Sequence, residues 1–328
     1  MPDYSAILAG TGSALPEKRL TNDDLSKMVD TNDEWITQRT GIRERRIVQA
    51  GETTASLGTL AARKAIESAN LSPDEIDLIV CATITPEMVF PSTACFIAAN
   101  LGLHATPAFD LSAACSGFIY ALSVAGSFVK SGQYKNVLVL GAETLSRCVD
   151  YTDRSSCILF GDGAGALILQ RSNDRQRGLI FNSLHADGHG AEAMKCMPGS
   201  RHPITEEMLK NRQQFIQLKG REVYKFAVEK FQELIEQAMR ACELTKEQVK
   251  LVIPHQVNQR IIDSALEKLG MPPEQAYVNI GKYGNTSAAS IPIALDEAMR
   301  EGKLKSGDVV IFVAFGGGLT WGNAVMRI

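Results

Sequence analysis

Short apolar runs punctuate the chain at the spacing expected of buried strands. LIV (78–80), LVI (251–253), NVLVLGA (136–142) and DVVIFVA (308–314) each read as a strand, and the opening MPDYSAILAGTG leads into another. Two of these runs are approached in the same way. SPDEIDLIVCAT (72–83) and TKEQVKLVIPHQ (245–256) both begin with a hydroxyl residue and carry an acidic or amide residue three positions on, the pattern of a capped turn. Helical stretches precede both capped turns, so strands and helices alternate and an α/β architecture follows.

The longest apolar stretch is Leu111–Val129, LSAACSGFIYALSVAGSFV, which contains no charge. Its 19 residues approach the length of a bilayer span. Serines and glycines dilute it and no second such segment accompanies it, so a helix buried at the centre of the protein is expected instead.

The pattern then repeats, at a period of about 170 residues. Ala65, Ile66 and Leu71 match Ala238, Met239 and Leu244, and LGL (101–103) recurs as LGM (269–271). PAFDLSAACSG parallels AYVNIGKYGNTS as a strand leading to a helix, and FGDGAGALIL (160–169) parallels FGGGLTWGNAVM (315–326). Segments in one order suggest two duplicated halves, 1–174 and 175–328, joined near the polar stretch SNDRQRG (172–178).

Composition narrows the function classes. Hydrophobic residues make up 45% and charged residues 22%, as in ordinary globular proteins. A net charge of −3 gives no global field for nucleic acid or an anionic membrane. The cysteines at 81, 95, 115, 148, 157, 196 and 242 are odd in number and form no CxxC, so neither a disulfide framework nor a metal site is expected. That usage, with no basic and apolar leader at the start, points to the cytoplasm.

Cys115 opens the uncharged helix. A helix start offers unpaired N–H groups and partial positive charge, which would lower a thiol pKa and make a nucleophile. The duplication puts Cys115 within a residue of Asn285, at the start of a second helix of small residues, with the two close together at the centre. His255 ends the strand LVI, where ligands gather in open α/β sheets. His185, His189 and His202 fall in a polar, loop-like region, and His104 follows LGL. FGGGLTWG allows either a tight turn or a backbone N–H close to a substrate, and no GK[ST] follows any glycine run, which excludes a Walker loop.

DEWITQRTGIRER (33–45), FPSTAC (90–95), SAACSGF (112–118), GDGAGAL (161–167), PHQVNQRI (254–261), YGNTSAAS (283–290) and FGGGLTWG (315–322) together resemble the thiolase-like condensing enzymes, in particular the β-ketoacyl-acyl-carrier-protein synthase III family. The resemblance spans essentially the whole chain. It implies a thiolase-like fold in five layers, αβαβα, and a homodimer without cofactor or metal. It also implies the reaction: transfer of a short acyl group, acetyl above all, from acyl-CoA to Cys115, then decarboxylative condensation with malonyl-acyl-carrier protein. His255 and Asn285 would complete the catalytic site, and the N–H groups of Cys115 and Gly318 would form the oxyanion hole. Thr31, Trp35, Arg39, Arg154 and Asn258 would hold CoA, with Trp35 and Arg154 stacking on the adenine. Lys225 and Arg260 would meet the acidic carrier protein, and Phe90 would cross the dimer interface to limit the partner's acyl pocket. Arg43, Arg45 and Arg46 read instead as a solvated charge cluster. The stretch 189–219 is longer and more polar than the family pattern, which bears on chain-length preference. A condensing enzyme of secondary metabolism is the alternative within enzymes. A silent carrier-binding scaffold is the alternative outside them, disfavoured by the intact Cys115, His255 and Asn285.

Overall fold

The computed structural model describes residues 4–328. The first half runs β1 (Ser5–Ala14), β2 (Arg19–Thr21), α1 (Asn22–Ser26), α2 (Asp33–Thr40), β3 (Glu44–Arg46), α3 (Thr54–Ser68), β4 (Leu78–Ala82), α4 (Thr93–Leu101), β5 (Ala108–Leu111), α5 (Gly117–Lys130), β6 (Asn136–Thr144), α6 (Arg154–Cys157) and β7 (Asp162–Ser172). The second runs β8 (Gly178–Ala186), β9 (Met194–Cys196), α7 (Glu206–Lys210), β10 (Ile216–Leu218), α8 (Gly220–Ala241), β11 (Val249–Pro254), α9 (Gln259–Leu269), α10 (Ile280–Tyr283), α11 (Ser290–Arg300), β12 (Val309–Gly316) and β13 (Thr320–Arg327).

Two large sheets organise these elements. One has the strand order β1-β7-β6-β4-β5, the other β8-β13-β12-β11. Strand senses match position by position. β1–β7 and β7–β6 are antiparallel, as are β8–β13 and β13–β12. β6–β4 and β12–β11 are parallel. The fifth position is filled in the first sheet by β5, parallel to β4, and in the second by a single parallel bridge from Val252 to Ala276. A full strand is expected over AYVN (276–279); only this bridge forms there, and α10 follows it in the path to the next helix.

Helices α3 and α4 cover the outside of the first sheet, α5 and α11 lie between the sheets, and α8 packs with α9 outside the second. The layers are αβαβα, as the family resemblance implied. The middle layer explains the uncharged sequence of α5. With sheets on both sides, Phe118, Ile119 and Leu122 are fully buried. Each contributes about 1.5–3 kcal/mol, and a charge there would lose its hydration. An outer helix needs only one apolar face, and α8 presents Ala227, Phe231, Leu234, Ile235 and Ala238 to the core. No helix among the described residues is long and apolar enough to cross a membrane. α5 itself has 14 residues.

The two central helices meet at their starts. Each is approached through a tight turn, Ala114–Ser116 before α5 and Ser287–Ala289 before α11. Both turns begin with a non-glycine residue at positive φ, Ala114 at 46° and Ser287 at 48°. Such strain persists only where surrounding packing over-determines it. Aligning these turns pairs Cys115 with Ala288, three positions beyond Asn285. The expected equivalence of Cys115 and Asn285 is therefore displaced, because α10 lengthens the second approach. His185 also differs from expectation. It lies within β8 and stacks on Trp321, ring centroids 5.6 Å apart.

Candidate active site

Cys115 is buried in the turn before α5, which begins two residues later at Gly117. Its sulfur faces a cavity of about 260 Å³ lined also by Ile84, Thr85, Leu145, Phe160, Met194 and Gly317. The second half reaches it through Gly316. A Cβ on that glycine would lie 2.6 Å from the Cys115 nitrogen and 3.0 Å from that of Ser116. These are backbone atoms and cannot swing aside. Gly316→Ala should destabilise the protein by about 1–3 kcal/mol, seen as a lower denaturant midpoint. Cys115 acylation should slow with it, because the nucleophile is displaced. Unchanged stability and acylation would mean the two backbones are not in tight contact. Gly318, the next glycine but one, has φ 143°.

Burial pushes the Cys115 thiol up to about 12, against a lowering pull from the Ser287 hydroxyl. The lowered pKa expected at a helix start is not found. The helix begins beyond Cys115, and loss of water outweighs the local dipoles. The resting group is a thiol.

His255 follows β11 and is fully buried. Its N–H donates to the Val313 carbonyl at 2.8 Å, and its Nδ1 lies 2.7 Å from Ser290 Oγ. Ser290 Oγ also accepts from the Gln256 N–H at 3.3 Å. When the Ser290 hydroxyl donates to Nδ1 the ring proton sits on Nε2, which is buried without a partner. Burial depresses the imidazole to about 3, so it is neutral at physiological pH. Gln256 holds the turn. Its Nε2 donates to the carbonyls of Pro254 and Tyr277, and its Oε1 accepts from the N–H groups of Asn279 and Ile280.

Asn285 is fixed by its backbone. Its N–H donates to the Leu159 carbonyl at 2.8 Å, and its carbonyl accepts from Gly161 at 3.0 Å. Its Oδ1 accepts from the Ser287 N–H at 2.8 Å. That bond identifies the oxygen and leaves Nδ2 as the free donor end. Behind this loop sits Arg45, fully buried rather than solvated. Its guanidinium donates to the carbonyls of Leu20 and Ile158 and to Asn22 Oδ1. Those acceptors explain how an arginine tolerates burial, although burial pulls it down to about 10.

Two further side chains were not anticipated. Glu143 is completely buried and accepts from Thr85 Oγ1 at 2.6 Å, Thr83 Oγ1 at 3.2 Å and the backbone N–H groups of Ile84 and Thr85. Burial still pushes its carboxyl up to about 7. Ser287 Oγ lies within reach of both Glu143 and the Cys115 thiol, yet makes no well-formed bond to either. One carboxylate in the otherwise apolar run NVLVLGAET was the available signal for Glu143.

The expected CoA residues form a second cluster. Guanidiniums flank Trp35, with Arg39 Cζ 5.4 Å and Arg154 Cζ 5.1 Å from the ring centroid. Arg154 also donates to the Asp30 carbonyl at 2.9 Å. Asn258 donates to the Arg39 carbonyl at 2.9 Å, and Thr31 Oγ1 is buried without a partner. Arg154 covers the indole, so a base stacking there would displace the guanidinium.

Lys225 is exposed on α8, beside a hollow shared with Lys268, and Arg260 is exposed at the start of α9. Ile84, Met88, Val89 and Phe90 form an exposed apolar stretch, Phe90 being 81% exposed, that runs out from the cavity wall. The 189–219 segment supplies Met194, Lys195, Cys196 and Ile216 to the cavity. Its β9–β10 hairpin is held against the first half where Arg212 pairs bidentately with Asp150, both contacts 2.6 Å.

Comparison with known proteins places this geometry. Residues 109–188 match the family model of 3-oxoacyl-[acyl-carrier-protein (ACP)] synthase III, and residues 239–328 match the model of its C-terminal part. The chain is 52% identical over 320 residues to beta-ketoacyl-[acyl-carrier-protein] synthase III of Aquifex aeolicus, covering 98% of each sequence. It is 50% identical over 325 residues to the protein of that name from Caldanaerobacter subterraneus subsp. tengcongensis, again covering 98% of each. The crystal structure of the Aquifex aeolicus 3-oxoacyl-[acyl-carrier-protein] synthase III superposes with a TM-score of 0.92 at 51% identity, over 98% of this chain and 100% of that one.

Proposed function

Because the chain belongs to the 3-oxoacyl-[acyl-carrier-protein] synthase III family, we propose that the cavity around Cys115 is where it carries out the family's two-stage condensation. The protein is an acyltransferase that initiates fatty-acid synthesis by decarboxylative Claisen condensation. The observation that carries the site assignment is the buried His255 Nε2. It is a buried polar atom without a partner, on a ring whose Nδ1 lies 2.7 Å from Ser290 Oγ.

In the first stage Cys115 Sγ bonds the acyl carbon of an acyl-CoA and the bond to the CoA sulfur breaks. The thiol proton leaves with CoA. The N–H groups of Cys115 and Gly318 serve the tetrahedral oxyanion, and two such donors are worth several kcal/mol where water is excluded. In the second stage malonyl-carrier protein loses CO₂. The electron pair left behind forms an enolate, which attacks the acyl carbon and returns the bond pair to Cys115 Sγ. Neutral His255 donates from Nε2 and Asn285 from Nδ2 to the enolate oxygen. A neutral donor is preferable here, since a permanent imidazolium would bind the ground-state malonyl carboxylate as well.

The cavity of about 260 Å³ takes the acyl group, and the large ring of Phe90 favours a short starter such as acetyl. Trp35, Arg154, Arg39, Asn258 and Thr31 serve the adenine, phosphates and pantetheine of CoA, the indole and guanidinium suiting a flat base. Lys225 and Arg260 face the acidic carrier protein. The exposed 84–90 stretch, with Phe90 at its tip, covers itself in a homodimer, as an apolar patch of this kind requires. The chain is read as two halves, 1–174 and 175–328, a reading supported by one large sheet in each, so that Cys115 comes from one and His255 and Asn285 from the other. A cytoplasmic location accords with seven free thiols.

The test is stoichiometric. With acetyl-CoA and malonyl-carrier protein, the protein should form one 3-ketoacyl-carrier and one CO₂ per CoA released. Longer donors should be progressively poorer. Condensation from long donors with acetyl inactive would refute the starter assignment, and CO₂ release without condensation would refute the two-stage scheme.

A further inference from the structure

Three thiols face one cavity: Cys115, Cys148 and Cys196. The reaction uses the first. The other two are neighbours in its wall, close enough to act on each other electrostatically, and the Cys196 thiol donates to the Gln214 carbonyl at 3.2 Å. Cys148 ends the turn Leu145–Cys148 of the first half, while Cys196 lies in β9, opposite Ile216 of β10. The Asp150–Arg212 ion pair, two residues beyond Cys148, already holds the hairpin segment beside that turn.

We propose that Cys148 and Cys196 are a redox-active dithiol in the cavity wall, converted by a hydroperoxide into a disulfide that fastens the β9–β10 hairpin to the 145–148 turn. Cys196 is the exposed partner. The neighbouring Cys148 draws the Cys196 thiol pKa down, whereas burial holds Cys115 far above the usual range. Cys196 is thus the thiol of the three most open to oxidation. Its thiolate attacks the O–O bond of hydrogen peroxide, giving a sulfenic acid and, with one proton, water. The Cys148 sulfur then displaces the hydroxyl, the S–S bond forms, and the hydroxyl leaves with the Cys148 proton as a second water. Two thiols are oxidised and one peroxide is reduced.

The consequence rests on the acyl-pocket reading above. Met194, Lys195, Cys196 and Ile216 line the cavity from this hairpin, so fastening it removes the freedom of one wall to yield to an incoming chain. Oxidation should slow acyl loading of Cys115 and reduction should restore it.

The test separates the site from its consequence. The full-length protein and its Cys115→Ala variant are treated with graded hydrogen peroxide, free thiols are alkylated, and peptides are mapped by mass. Both proteins should yield a Cys148–Cys196 linked peptide, a loss of two hydrogens in the intact mass, and full reversal by a dithiol. Cys196→Ser should lose the linked species and the peroxide-dependent slowing of loading. Alkylation of both Cys148 and Cys196 while another cysteine is oxidised would overturn the proposal. A linked peptide with unchanged loading would overturn the gating consequence. Failure of the untreated protein to load at all would count against the acyl-pocket reading and leave the peptide result standing.

Discussion

His255→Ala should still accept an acetyl group on Cys115 but lose malonyl decarboxylation by on the order of 10²–10³-fold, the usual loss for one oxyanion donor. The split follows from the site. In the proposed mechanism acyl transfer uses backbone donors at Cys115 and Gly318, whereas the enolate uses the side chains of His255 and Asn285. The ring is neutral above about 3, so no step in the rate near pH 6.5 should arise from its titration. Stability carries the complementary sign. Folding depresses this group from 6.5 to about 3, so between those values the unfolded chain binds a proton that the folded one does not. The contribution of His255 is present in full above 6.5 and declines as pH falls, and the alanine variant should show a shallower acid decline in denaturant midpoint. Equal loss of acylation and decarboxylation would instead make His255 the base that takes the thiol proton.

Cys115→Ala should abolish covalent loading and lower turnover by on the order of 10⁴–10⁶-fold, the scale for removing a nucleophile. Folding should survive. The exchange removes one sulfur from a residue that is 5% exposed, beside a cavity that already exists. A stability change near 1 kcal/mol is expected, similar to one buried methylene. CoA binding at Trp35 and Arg154 should persist, which distinguishes loss of chemistry from loss of substrate. Turnover near the wild-type rate would show that acyl transfer bypasses Cys115.

The principal strands and the central helix were legible in the sequence because buried strands are short apolar runs and a two-sided burial leaves no room for charge. Cys115 and His255 were legible because each punctuates such a run. The displacement of Asn285 relative to Cys115 was not. It depends on α10, a helical turn inserted between bridge and helix start, which leaves no mark in the hydrophobic pattern. The supporting side chains are harder still. Ser290 acts on His255 across 35 positions and Arg45 on Ile158 across 113, and such partners are set by packing. Arg45 sits in a run of like charges, which normally marks a solvated surface, and only its buried acceptors reveal otherwise. The thiol pKa reversed for a related reason: charge and helix position can be read locally, whereas desolvation is a property of the whole enclosure.

In the proposed mechanism a thiol of the first half carries the acyl group while donors of the second half stabilise its attacker. One measurement tests it directly: incubate the protein with acetyl-CoA, quench, map the acetyl group by peptide mass, then chase with malonyl-carrier protein. One acetyl should be found on Cys115, discharged by the chase in wild type and retained in His255→Ala. An acetyl group on another residue, or one discharged equally fast without His255, would contradict it.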